Sequence, residues 1–226
     1  MTPWISAVDR RFLALRRLPF FYRLTLFTRI TLAAGFIPTG GVKLLGLRFS
    51  QISIESPIGA FFEAMFLTGG YWRFIGASQV LAGLLLLIPA TAHLGAGLFL
   101  PIILNIFVIT VALSFKGTWV VTGLMLLAVL YLCAWDYHRF RGLLTLAPLS
   151  AEPAMQRLDR IERVGFSVFG TCFLYCFLAT RGAVPMDYVL PVAAAGLLGG
   201  LLALGQFLAT TWRRRFGGAA RPAPQS

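Results

Sequence analysis

An all-α, polytopic membrane helix bundle of six transmembrane helices, flanked by amphipathic surface helices, is the fold class the sequence predicts. Three observations lead to it. Only 12% of the 226 residues are charged and 58% are hydrophobic, where a soluble domain carries about 25% charged residues. Six apolar runs, near 24–46, 73–90, 92–114, 118–138, 164–180 and 187–211, each reach the roughly 20 residues that cross a bilayer. The basic residues, 18 Arg and 2 Lys within a net charge of +12, gather at the chain ends and in one loop, as the positive-inside rule requires of a spanning chain. The arginines do not form one folded basic module, so nucleic acid is not an expected partner.

The elements follow in order. In segment 1–23, Ile5, Val8, Phe12 and Leu15 fall on one helical stripe with arginines around it. That pattern predicts an amphipathic cytoplasmic helix lying on the membrane surface, ended by Pro19. The stretch has no compact apolar core or small-residue cleavage site, so the first span is expected to act as an uncleaved anchor. Residues 24–140 form a four-helix core. Pro38 and Pro101 fall inside its first and third helices, which neighbouring helices can tolerate in a membrane. Between the first two spans, 56–72 is too short to cross and reads as an outer re-entrant or amphipathic segment ending in the interfacial pair Tyr71–Trp72. In 141–163, Met155, Leu158 and Ile161 recur at three with charges opposite, predicting a cytoplasmic surface linker helix. Two further transmembrane helices fill 164–211. The second carries Gly196-x-x-x-Gly200 and Ala195-x-x-x-Gly199, a spacing that allows close helix approach, within the monomer in preference to dimerisation. A disordered basic tail takes 212–226.

Both basic-rich termini and the loop at 139–163 lie on one side if the chain crosses six times. The expected location is therefore the bacterial cytoplasmic (inner) membrane, with N-terminus and C-terminus in the cytoplasm and the lipid bilayer as the first partner. Cys133, Cys172 and Cys176 all sit in apolar runs and read as small buried hydrophobes. No metal site, glycine-rich phosphate loop or nucleophile–histidine pattern stands in the sequence, so no catalytic residue is assigned.

Ionisable and amide side chains inside spans are costly and mark candidate sites. Lys43, Glu63, Trp72, Arg73, Gln79 and Asn105 come from four segments at a similar outer depth. An isolated polar group there would be expensive, so the expected arrangement has Lys43 held by Glu63, with Gln79 and Asn105 completing the hydrogen bonds in a pocket open outward. Pro38 and Gly40–Gly41 would bend or loosen the first helix so that its backbone joins the site. The alternative for Lys43 is to snorkel to the headgroups. At the inner end Arg29 and Asp136 either form an ion pair or Arg29 simply extends the positive-inside set. His93 and His138 read as interfacial histidines.

The segments "RITLAAGFIPTGGVKLLG" (29–46), "GGYWRFIGASQVLAGLLLLIP" (69–89), "LGAGLFLPIILNI" (94–106) and "LYLCAWDYHRF" (130–140) resemble the DoxX family of bacterial membrane proteins over roughly residues 24–140. The matching elements are Arg29, Gly41 with Lys43, and Gly76 with Gln79. The resemblance implies a four-helix membrane unit. Some relatives are subunits of thiosulfate:quinone oxidoreductases and others accompany redox or stress-response enzymes. This chain departs from the short pattern by two extra helices and by lacking a cysteine pair for thiol chemistry. The function expected is a non-catalytic or accessory subunit of a quinone-linked membrane redox system. Quinone is its candidate cofactor, with Lys43, Gln79, Asn105 and Trp72 as donors, and redox or membrane subunits are its candidate partners. The alternatives are a membrane-protein assembly or scaffold factor and, behind it, a small-solute carrier.

Overall fold

The structure, a computed structural model, describes residues 3–141, 157–179 and 184–216. They form helices α1 (Pro3–Arg17), α2 (Pro19–Leu44), α3 (Pro57–Leu67), α4 (Gly70–Leu87), α5 (Ala92–Ala112), α6 (Thr118–Trp135), α7 (Tyr137–Phe140), α8 (Arg160–Ala179) and α9 (Val189–Phe216), with a 3₁₀ turn at Met186–Tyr188. No strand occurs among the described residues. Six helices are long and apolar enough to cross a membrane, and the chain is a multi-pass membrane protein. Large apolar side chains such as Phe74, Leu81, Leu124 and Leu127 are exposed, so these helices are apolar on outer and inner faces alike, the pattern of a span in lipid.

The chain divides into two compact units, Met1–Gln156 and Arg157–Ser226. In the first, α2 packs on α4, α4 on α5, α5 on α6, and α6 closes back on α2. Leu32, Phe36, Ala82, Leu86, Ala96, Phe99, Ile103, Val129 and Leu132 fill the middle, with the Phe36 and Phe99 ring centroids 4.0 Å apart. The α2–α4 seam is closed by glycine. A Cβ on Gly76 would fall on the Leu44 amide and 2.5 Å from Gly40 O, and one on Gly40 would fall 2.7 Å from Gly76 O. Both are closer than carbon can approach, so only hydrogen at these positions lets the two backbones touch. Helix α2 runs unbroken through Pro38. The expected loosening at Gly40–Gly41 is absent: Gly40 serves the seam, and Gly41 faces open space.

Three sequence-derived boundaries shift for local reasons. Helix α2 starts at Pro19, not near residue 24, because proline at the first helical position suits a helix start as well as a stop. The linker helix expected over 141–163 falls largely outside the described residues. Its described end is the start of α8, where Asp159 and Glu162 form a capping box: Glu162 accepts from the Asp159 amide at 2.9 Å and Asp159 from the Ile161 amide at 3.4 Å. Helix α9 continues to Phe216, past the expected start of the tail at 212. Trp212 and the arginines after it are compatible with a helix, and the rest of the tail lies outside the described residues. Within the second unit Gly165, Gly196 and Gly199 lie in the α8–α9 seam, whereas Ala195 is exposed. A Cβ on Gly165 would lie 2.5 Å from Gly199 O, and one on Gly196 would lie 2.7 Å from Cys172 Cβ. All three cysteines are free.

Gly76→Ala should destabilise the first unit by about 1–3 kcal/mol through overpacking, whereas Gly41→Ala should be neutral or stabilise it by up to about 1 kcal/mol. Thermal midpoints in detergent micelles check this. Equal effects of the two substitutions would show that the seam is not in backbone contact.

Candidate functional site

The glycine seam sets the first polar cluster. It brings the last turn of α2 against the second turn of α4, so Lys43 meets Gln79. The Lys43 ammonium donates to Gln79 Oε1 at 3.0 Å and to Thr39 O at 3.2 Å. It lies 4.1 Å from the Phe49 ring centroid and 5.4 Å from that of Trp72, both within cation–π range. Lys43 is only 6% exposed and Trp72 1%. Trp72 is itself fixed by its indole N–H, which donates to Leu47 O at 2.9 Å. The snorkelling alternative therefore does not describe Lys43: its charge is held inside, by an amide, a backbone carbonyl and two aromatic faces.

Glu63 is placed differently from the expectation. Both of its oxygens accept from Arg48, at 2.9 and 2.8 Å, and Arg48 in turn lies 4.3 Å over the Phe66 ring. This bidentate hydrogen bond to Arg48 holds the Glu63 carboxyl below the usual carboxylate range. The pair is legible only after folding, because α3 turns Glu63 toward the loop that carries Arg48. Asn105 and Arg73 are exposed; the Arg73 guanidinium lies against Gly46, just past the end of α2, and bonds neither Lys43 nor Gln79. Asn105 sits on the outer face of α5, since the buried face of that helix is the one carrying Ala92, Ala96, Phe99 and Ile103. Arg48, Phe49, Phe62, Glu63, Phe66 and Trp72 are among the residues lining a small, shallow recess at the surface. Phe49 and Trp72 thus wall both the recess and the Lys43 ammonium.

A second cluster stands at the opposite end of the same bundle. Arg29 Nη2 donates to Asp136 Oδ2 at 2.7 Å, and Asp136 is 4% exposed. The structure brings this pair together. It adds Arg16, which sequence reasoning left among the surface arginines: its guanidinium reaches 3.9 Å from Asp136 Oδ1, donates to His138 Nδ1 at 3.1 Å, and lies 4.5 Å over the Trp135 ring. Arg139 donates to Ala90 O at 2.9 Å and to His93 Nδ1 at 3.2 Å. Thr25 Oγ1 and Tyr131 Oη lie 2.8 Å apart and tie α2 to α6. Helix α1 is further anchored by an ion pair between Asp9 and Arg141 and by the Phe12 ring against Tyr137, 5.7 Å between centroids. The spacing Asp136-x-His138 at the end of α6 is the one signal that could have pointed to this docking site for α1.

Burial, and next the Arg16 charge, push His138 down to about 4 from an ordinary value of 6.5. A neutral ring is what the Arg16 bond needs, because a protonated Nδ1 cannot accept. Among the described residues, no group of three or more His, Cys, Asp or Glu side chains could hold a metal ion.

No protein-family profile matches the chain, and no solved structure matches it. A curated relative does: the chain is 33% identical over 135 residues to the uncharacterized protein YwoB of Bacillus subtilis (strain 168), a match covering 57% of this chain and 87% of that protein.

Two predictions come from this geometry. Lys43→Met should destabilise the unit by about 1–3 kcal/mol, because it strands the buried Gln79 oxygen, and adding Gln79→Leu should recover part of that loss. Thermal melts of the two single variants and the double variant measure the coupling, and strict additivity would show that the pair is not bonded. For His138, the folded value lies below the unfolded one, so the unfolded state binds the proton first. Its contribution is fully present above about pH 6.5 and is lost as pH falls toward about 4. His138→Asn keeps an acceptor near the Nδ1 position. It should flatten the decline of Tm between pH 6.5 and pH 5, and parallel curves for the two proteins would refute the assignment.

Proposed function

Because this chain belongs to the same family as YwoB of Bacillus subtilis (strain 168), a multi-pass protein of that family is the premise from which we propose a function. We propose that it is a DoxX-like accessory subunit of a quinone-linked redox system in the bacterial cytoplasmic membrane. Both termini face the cytoplasm, and the Lys43 end faces outward. The concentration of arginine at the Asp136 end, in α1, α7 and Arg141, supports that orientation.

The observation that carries the reading is the shared wall. A quinone ring needs flat apolar faces and hydrogen-bond donors for its carbonyl oxygens. The recess supplies aromatic faces from Phe49, Phe62, Phe66 and Trp72, with Arg48 at its rim. Behind Phe49 and Trp72 stands the Lys43 ammonium. Rotation of the Phe49 ring would open a path from the recess to that donor, so Phe49 acts as the door and Lys43 as the anchor. Bound quinone would supply the electron chemistry, while the chain's residues bind and orient its ring. Asn105, exposed on α5, is not part of this site.

Titration of the full chain in nanodiscs with a short-chain ubiquinone, read by tryptophan quenching, tests the reading. Saturable quenching is expected, weakened about tenfold by Lys43→Met and also altered by Phe49→Ala. Absence of saturable quenching, or an isotherm unchanged in both folded variants, would remove the quinone from this site.

A further inference from the structure

Among the described residues, the Asp136 end carries more sheltered positive charge than its carboxylates answer. Arg16 and Arg29 share a single carboxylate, and their side chains are only 14% and 13% exposed. Asp136 bonds one of them: Arg29 at 2.7 Å, while Arg16 stands 3.9 Å away, beyond hydrogen-bond reach. The hydrogen bond of Arg16 goes instead to His138, which is neutral and adds no negative charge. A guanidinium has five N–H donors, yet each of these two engages one nitrogen in hydrogen bonding. The Nε of each is buried without a partner. Arg16 Nη2 and Arg29 Nη1 also lack a hydrogen bond and are not among the buried atoms, so both can be reached from outside. Arg139 completes the set from α7. Its held position against Ala90 and His93 leaves it exposed, and after burial its charge and that of Arg29 are what lower the proton affinity of Arg16. Two guanidinia therefore share one carboxylate with a third close by, and both neighbouring histidines act as acceptors of arginine N–H groups.

We propose that this end of the bundle is a binding site for a phosphate-bearing anion, gripped by Arg16, Arg29 and Arg139. Phosphate suits the donors better than a second carboxylate. It offers oxygens in several directions to arms arriving from α1, α2 and α7, and the planar fork of arginine matches two of them at once. Trp135 and Phe12 hold the Arg16 guanidinium by its face, at 4.5 and 5.5 Å, which leaves its edge free for the anion. The anion completes a charge balance that Asp136 alone leaves open, since a sheltered guanidinium without a counter-charge is costly. The phosphate can come from an anionic lipid headgroup or from solution. Val8 and Leu15 of α1 are exposed, and an apolar edge beside the arginines favours the lipid.

Maltoside micelles contain no phosphate, so the full-length protein in them is the starting state. Inorganic phosphate is titrated in one arm and followed calorimetrically. Phosphatidylglycerol is added in the other and followed as retained lipid by native mass spectrometry, with phosphatidylcholine as the comparison. Saturable binding of inorganic phosphate identifies a soluble anion, and selective retention of phosphatidylglycerol identifies the headgroup; either upholds the site. Arg16→Gln, which leaves the Arg29–Asp136 pair in place, should weaken whichever binding occurs by about tenfold. Arg139→Gln, at an exposed position, should weaken it without disturbing the fold. If the folded wild type binds neither probe, or if both variants bind as tightly as wild type, the proposal is wrong.

Discussion

The backbone contact between α2 and α4 at Gly40 and Gly76 is the constraint on which the rest of the first unit depends. With no Cβ on either side, two helices approach closely enough for the last turn of α2 to lie against the second turn of α4. That approach carries Lys43 to Gln79. It also places Trp72, one turn before Gly76, where it can close over the ammonium and bond the chain at Leu47. In hydrocarbon there is no hydrophobic drive to bring helices together, so close packing and buried hydrogen bonds must hold them. The seam supplies the first and, through Lys43, the second.

The two ends of the bundle handle buried charge in different ways. At the Lys43 end, an amide, a carbonyl and two aromatic faces answer a single ammonium, and the carboxylate expected to pair with it, Glu63, is engaged by Arg48. At the Asp136 end, one carboxylate serves two guanidinia, and histidine acceptors take up part of the remainder. The first arrangement is closed and suits a fixed structural or binding role. The second is open, with donors left over. The asymmetry also explains how α1 is held. Its contacts with the core are chiefly polar and aromatic: Arg16 to His138, Asp9 to Arg141, Phe12 to Tyr137.

Membership of the YwoB family brings no chemistry with it, so the functional reading rests on the recess and on the donor behind it. A quinone-linked role fits an aromatic-walled recess next to a sheltered ammonium. Gly165, Gly196 and Gly199 serve the packing of α8 on α9.

The six spans were legible from residues alone because a bilayer imposes one crude requirement, about 20 apolar residues per crossing, and such runs need no knowledge of neighbours. The Lys43–Gln79 meeting was legible in part, since buried polar groups at one depth must find each other. The partner of Glu63 was not. Arg48 and Glu63 lie in a loop and a short helix whose mutual orientation no periodicity encodes. Asn105 shared the right depth but the wrong face, because depth follows from counting residues, whereas face depends on which side of α5 packs against Ala82 and Leu86. Arg16 was hidden for the same reason: one arginine among several in α1, it is distinguished only by its distance to Asp136. Composition and spacing thus determined that this chain spans a membrane and how often. The tertiary structure alone decided which charges meet, because pairing depends on helix rotation and close approach, and those are set by contacts between segments far apart in the chain.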